Sequence, residues 1–210
     1  MGGRNTPRGH PGQIVNPLHR DILPTVITHS FTGILGGSIV FGRGMPVRFW
    51  LLSVACTVLP DADVIAFSFG IPYGHFFGHR GFFHSPFFAI CCSFVLLCVF
   101  MRGVKSFLKQ WWIYWGYFSL LMASHGILDA FTNGGLGIAL LSPFSNTRYF
   151  FPWTPIEVSA IGGLSVLFTQ RFMVVLWSEI YLIWIPLLII FLLKAVIKHR
   201  CSKGIYADGS

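Results

Sequence analysis

Leu59-Pro60-Asp61-Ala62-Asp63 and His79-Arg80-Gly81-Phe82-Phe83-His84-Ser85 decide how the rest of this sequence is read. Both stretches sit at the ends of apolar runs, yet they carry carboxylates, imidazoles and a guanidinium. A carboxylate or imidazole beside hydrocarbon is costly unless it is paired, protonated or bound to a metal. The two stretches therefore read as one polar site organised around a metal ion. Further ligands flank them: His29 upstream, and His125 with Asp129 downstream.

The composition around this site is that of a membrane protein. Hydrophobic residues make up 54% of the 210 and charged residues only 10%, where a soluble domain carries about 25% charged. Mean hydropathy is +0.67, and apolar stretches recur at about the 20 residues needed to cross a bilayer. The net charge of +8 does not indicate nucleic acid, because the basic residues form short flanks between apolar runs rather than one patch. Such flanks suit anionic lipid headgroups. No CxxC pair occurs among the five cysteines, so neither a zinc ribbon nor a disulfide framework is indicated.

The expected fold is all-α: a polytopic membrane helix bundle of about five spans with a polar, metal-site end. Residues 1–21 read as a disordered basic tail, 22–197 as the integral membrane domain and 198–210 as a basic tail. The spans are expected near Ile22–Phe41, Phe49–Phe69, Phe82–Met101, Trp111–Phe131 and Phe172–Val196, with a short partial helix over Ile156–Phe168. Pro60 should kink the second span or end its regular part. Gly33, Gly36, Gly37 and Ser38 give the first a small face for close helix packing.

Alternating the spans brings the candidates together. If the first span leaves one side of the membrane, the second returns Asp61 and Asp63 to it. His79 and His84 lie in the connection on that side, and the fourth span brings back His125 and Asp129. His29 sits about 10 Å inside the first span at 1.5 Å per residue. His125 and Asp129 are four apart on a helix, so they share a face, and imidazole with carboxylate is a common zinc donor set. Three of the seven acidic residues belong to this constellation, a concentration that random placement would not give. Either Asp61 or Asp63 is expected to bind metal while the other orients a ligand histidine or accepts a proton.

These residues resemble the YdjM-like family of bacterial membrane-bound proteins, which are regarded as metal-dependent hydrolases. The matching elements are Thr28-His29-Ser30, Leu59-Pro60-Asp61-Ala62-Asp63, His79-Arg80-Gly81 with His84-Ser85, and His125-x3-Asp129-x2-Thr132-x2-Gly135, with Pro143 and Arg148-Tyr149 beyond. Where that family usually has Thr before the second histidine, this chain has Phe83. The motif order is also similar to that of zinc-dependent bacterial phospholipases C. That similarity implies a metal site of Asp63 (or Asp61), His84 (or His79), His125 and Asp129, with His29 serving a neighbouring metal.

The expected function is hydrolysis of a lipid or lipid-linked phosphoester at a divalent transition metal, zinc being expected, in the bacterial inner membrane. The metal set is His29, Asp63, His79, His84, His125 and Asp129. Asp61 accepts a proton, and Arg80 grips an anionic substrate group. The rival is a transporter or scaffold whose His/Asp cluster is structural. A di-iron lipid oxidase is disfavoured because adjacent histidines occur nowhere. Glu179, about two turns inside the last span, is a further candidate by its depth. The loops facing away from the site carry nine basic residues against six on the site's side, which places the site outside the cytoplasm.

Overall fold

The structure, a computed structural model, describes residues 23–101, 109–158 and 169–207. The expected tail over 1–21 and most of the partial helix expected after Ile156 lie outside the described residues.

Among the described residues the fold is all-helical. Helix α1 (Leu23–Phe41) turns at Gly42 into α2 (Val47–Val58), which passes into a 3-10 segment, Leu59–Phe69. A looped connection ends in a single 3-10 turn, Phe82–His84, before α3 (Pro86–Phe100). Helix α4 (Lys109–Ala130) returns alongside α3. After a long connection come α5 (Gln170–Glu179), a π-helical turn (Ile180–Trp184) and α6 (Ile185–Ala207), which form one rod against α1.

Each departure from regular α-helix has a local cause. Pro60 is the second residue of the 3-10 segment. It has no backbone N–H to give the preceding turn, so the α-helix stops at Val58 and the chain tightens. Pro186 acts similarly in the rod: the wide turn before it is closed by the Ile185 N–H bonding the Ile180 carbonyl, five residues back. The third helix starts at Pro86, four residues later than the apolar run suggests. Ser85 caps it, accepting from the Phe88 N–H at 3.1 Å, with Pro86 at the first position, a favoured helix start. His84 is thereby left outside the helix. The residues from Lys198, read as a tail, continue α6 as far as Ala207.

Helices α1 and α2 meet at glycine. A side chain at Gly33 would stand 2.8 Å from the Ser53 carbonyl oxygen, and one at Gly37 2.9 Å from both the Trp50 ring and the Tyr117 hydroxyl. Gly36 faces open space, so only the pair spaced by four makes the close face. The apolar core joins α2, α3 and α4 through Phe49, Leu52, Cys56, Ala89, Leu97, Trp111, Tyr114, Phe118 and Met122. Much of it clusters where α2 and α4 begin, leaving the opposite end of the bundle for polar groups.

Residues 47–69, with mean hydropathy 1.6, and 170–200, with 2.6, are long and apolar enough to cross a membrane. Val26–Phe41 and Pro86–Phe100 are shorter apolar helices. Helix α4, with 22 residues, spans about 33 Å but is more polar. Very little of 170–200 is buried against the protein, and Leu188, Ile189, Ile190, Leu193 and Ile197 are exposed along it.

Candidate metal centre

The end of the bundle opposite the aromatic core holds a cluster of buried ionisable side chains. Asp61, His84, His125 and Asp129 are all buried, and one ligand atom from each lies within 4.8 Å of the others. His84 Nε2 and His125 Nε2 face each other at 3.1 Å. Asp61 Oδ1 is 3.2 Å from His125 Nε2 and 3.5 Å from His84 Nε2. Asp129 Oδ2 is 3.3 Å from His84 Nε2 and 3.7 Å from His125 Nε2.

The back of one imidazole is held by a backbone hydrogen bond, and the back of the other faces a carboxylate at ion-pair distance. His125 Nδ1 is 2.7 Å from the Thr57 carbonyl oxygen, to which it must donate. His84 Nδ1 is 3.0 Å from Asp63 Oδ2. A histidine that donates from one ring nitrogen offers a lone pair at the other, the arrangement found behind metal-binding histidines. Two imidazole lone pairs and two carboxylate oxygens then point into one small volume. Acceptors so placed repel one another unless a cation lies between them, so the donor set fits a divalent metal.

The two aspartates are separated by helix type. At three residues per turn, positions two apart lie about 120° apart around the axis. Asp61 therefore reaches the four-residue group while Asp63 reaches the far side of His84. The sequence puts Asp63 in the metal set and Asp61 as proton acceptor; the geometry puts Asp61 among the four close ligand atoms and Asp63 with His79 and His84 in a second group that could also hold an ion. Asp63 instead links three groups. Its Oδ1 lies 2.6 Å from His79 Nδ1, and its Oδ2 accepts from the Arg80 N–H at 3.1 Å. His79 thus joins Asp63 and His84 in a second group rather than entering the first.

His29 lies beside the cluster, outside both groups. Its ring stacks on His125 with centroids 3.9 Å apart, and its Nε2 is 3.9 Å from Asp129 Oδ1. Neither His29 nitrogen has a hydrogen-bond partner, nor does Asp129 Oδ1. All three atoms are buried, an uncommon condition that calls for a water or ion. A cleft lined by His29, Asp129, Thr28, Thr132, Glu157 and Glu179 has about 20 Å³ of space for the centre of a water molecule, enough for about one. Glu179 is itself braced: Thr28 Oγ1 donates to its Oε2 at 2.7 Å, and Trp184 Nε1 donates to Thr28 Oγ1 at 2.9 Å.

Arg80 sits in left-handed backbone at φ 61° and is buried. Its Nε is 3.3 Å from Asp129 Oδ2, while Nη1 donates to Thr132 Oγ1 at 2.9 Å and to the Gly134 carbonyl at 2.8 Å. Burial works against its charge, but Asp129, Tyr73, Asp61 and Asp63 together outweigh that and hold its pKa above the ordinary arginine value. Much of the guanidinium is thus taken by the protein, and it orients Asp129. Arg148 is likewise occupied, donating to the carbonyls of Tyr73, His79 and Gly137. His75 stays outside the cluster; its Nδ1 accepts from the Phe77 N–H.

Sequence reasoning missed the Thr57 carbonyl, since any residue can supply one, and the Thr28–Glu179 pair, whose members are 151 residues apart. Gly126 was also passed over. A side chain there would collide with the His84 carbonyl, so glycine lets α4 press against the turn that carries His84.

Fold and site together define an all-helical membrane protein with a buried His/Asp group of metal-binding composition at one end. Comparison with known proteins then gives the family. The YdjM inner membrane protein family matches residues 24–201, and the chain belongs to that family. It is 38% identical over 166 residues to inner membrane protein YbcI of Escherichia coli (strain K12), covering 78% of this chain and 92% of that protein. No solved structure matches. The inner-membrane location expected from the sequence agrees with both descriptions.

Proposed function

We propose that this chain is a membrane-embedded metal-dependent hydrolase in which Asp61, His84, His125 and Asp129 hold a divalent transition metal, zinc by donor type. One observation carries the reading. Five of the six distances among the four ligand atoms lie between 3.1 and 3.7 Å. Zinc bonds of about 2.0–2.1 Å in a tetrahedron require ligand atoms about 3.3 Å apart. When bound, such an ion lowers the pKa of a coordinated water toward about 7 and polarises an electrophile.

The chain's own residues supply the rest. The Thr57 carbonyl fixes the tautomer of His125, the Asp63 carboxylate faces His84 Nδ1, and Arg80 orients Asp129. His29 and the unpartnered Oδ1 of Asp129 border the water-sized cleft and are placed to receive a proton. The substrate is a lipid or lipid-linked phosphoester, supported by a site at the end of an inner-membrane bundle. The bundle crosses the bilayer five times, with the site on the extracytoplasmic side.

The ligand count supports a second reading. Four protein ligands fill a tetrahedron, as in closed structural zinc sites, so the ion would pin α4 to the segments on either side of the connection. The test is to purify the chain in mild detergent, measure bound metal, and assay a panel of lipid phosphoesters with and without chelator. Bound zinc with chelator-sensitive hydrolysis is expected. Bound zinc with no turnover on the panel would favour the structural reading. Protein that stays metal-free after zinc reconstitution would overturn both.

A further inference from the structure

We infer that the connection after α4, residues 131–158, is an interfacial cap that lies in the lipid headgroup layer and opens the metal-site end to substrate from the bilayer. This rests on the proposed hydrolase reading for its substrate, but not for its lipid contact. The cap folds back on the end of α4, with the Phe151 N–H bonding the Ala130 carbonyl and the Ile156 N–H bonding the Phe131 carbonyl. It is tied to the site by the Ala139 N–H on the Arg80 carbonyl and by Arg148 on the His79 carbonyl.

Its outer surface is largely apolar. Phe144 is 85% exposed, Trp153 65%, and Leu136 and Leu141 55% each. Water-facing loops rarely carry so many large apolar side chains, and contiguous exposed apolar surface marks a contact site. The patch is continuous with the membrane-embedded surface: the Phe144 ring packs edge-on against Phe87 at the start of α3, with centroids 5.8 Å apart. Below Phe87, Ile90 and Phe94 continue exposed along α3.

Charge is arranged to suit the same occupant. Within residues 70–83 and 131–158 the charged side chains are Arg80, Arg148 and Glu157. Arg80 is buried, Arg148 is engaged with backbone carbonyls, and Glu157 pairs with Arg171 at 2.7 Å. No carboxylate is left unpaired to be repelled by phosphate. Aromatic side chains with a polar handle, such as Trp153, are favoured at the headgroup level. A site beneath such a cap takes a phosphoester carried by a membrane lipid rather than a freely soluble one.

The experiment is photocrosslinking of the full chain in phospholipid nanodiscs, with p-benzoylphenylalanine at Phe144, Trp153, and Leu193 on the exposed side of α6. Mass spectrometry then reads the adduct. Positions 144 and 153 are expected to gain the mass of one phospholipid with yields comparable to position 193. Adducts at 193 alone would overturn the inference, as would crosslinks from 144 and 153 to a second copy of the chain or another protein. Metal content and hydrolysis are measured separately. Lipid adducts on an inactive chain would sink the hydrolase reading and keep the cap; activity without adducts would do the reverse.

Discussion

At the scale of single residues, the site depends on which side of an imidazole each carboxylate meets. Asp61 lies with the lone-pair nitrogens of His84 and His125, and Asp63 lies behind His84. Replacing Asp61 with Asn is expected to remove a ligand charge and abolish stoichiometric metal binding. Asp63→Asn should weaken affinity by about 10–100-fold, the usual effect of losing an outer partner, while leaving the stoichiometry intact. Metal titration in detergent reads both, and the reverse ranking would exchange the two roles. Asp129 is coupled to Arg80, so the Asp129→Asn variant should lose metal and also leave a buried guanidinium short of its partner. Breaking a buried pair costs about 3–5 kcal/mol. A lower melting temperature in both the presence and absence of chelator is therefore expected. An unchanged chelator response relative to wild type would remove Asp129 from the centre.

At the scale of elements, two close contacts hold the ligand-bearing segments in register. Gly126 on α4 meets the His84 carbonyl without room for a side chain. Gly126→Ala is expected to push the Phe82–His84 turn outward, at about 1–3 kcal/mol for an overpacked contact, and to loosen metal retention. Thermal melts with and without zinc would show it, and a variant identical to wild type in both would mean the turn yields freely. Thr28 ties α1 to the rod through Glu179 and Trp184. Thr28→Val leaves both without that partner, and an unsatisfied buried group costs about 1–3 kcal/mol. The loss should appear as earlier proteolysis between α5 and α1 with metal affinity at Asp61 unaffected. Gln at position 179 can still accept from Thr28, so Glu179→Gln should be milder.

At the scale of the whole molecule, the candidate metal ligands come from three places: the 3-10 segment, the turn before α3, and α4. An ion there would join segments that lie far apart in the chain. Removing it with chelator should lower the melting temperature, and zinc should restore it; no shift in either direction would mean that the polar end stands without a cation. The proposed five crossings would put the two chain ends on opposite sides of the membrane. Maleimide labelling of Gly9→Cys from outside intact cells, with Ser202→Cys labelled only after lysis, is the expected pattern. Labelling of position 202 from outside would turn the molecule over.

The sequence by itself determined the solvent, the helix class and most of the cluster. A 54% apolar chain with 10% charge can satisfy its backbone in lipid only as helices or a closed barrel. His125 and Asp129 share a face because four residues nearly complete a turn, whatever surrounds them. The first and fourth helices start and end within a few residues of their apolar runs for the same local reason, and the second starts within a few residues of its own. Only the tertiary structure decided the division between Asp61 and Asp63. Their two-residue spacing permits either role until Pro60 tightens the chain into a 3-10 segment and fixes the angle between them. His79 and Arg80 were legible as site residues but not as the partners of Asp63 and Asp129, because those contacts join distant segments. The Thr57 carbonyl and the cleft beside His29 have no sequence signature at all. They exist because α1, α2 and α4 pack closely enough for a backbone oxygen on one helix to meet an imidazole on another.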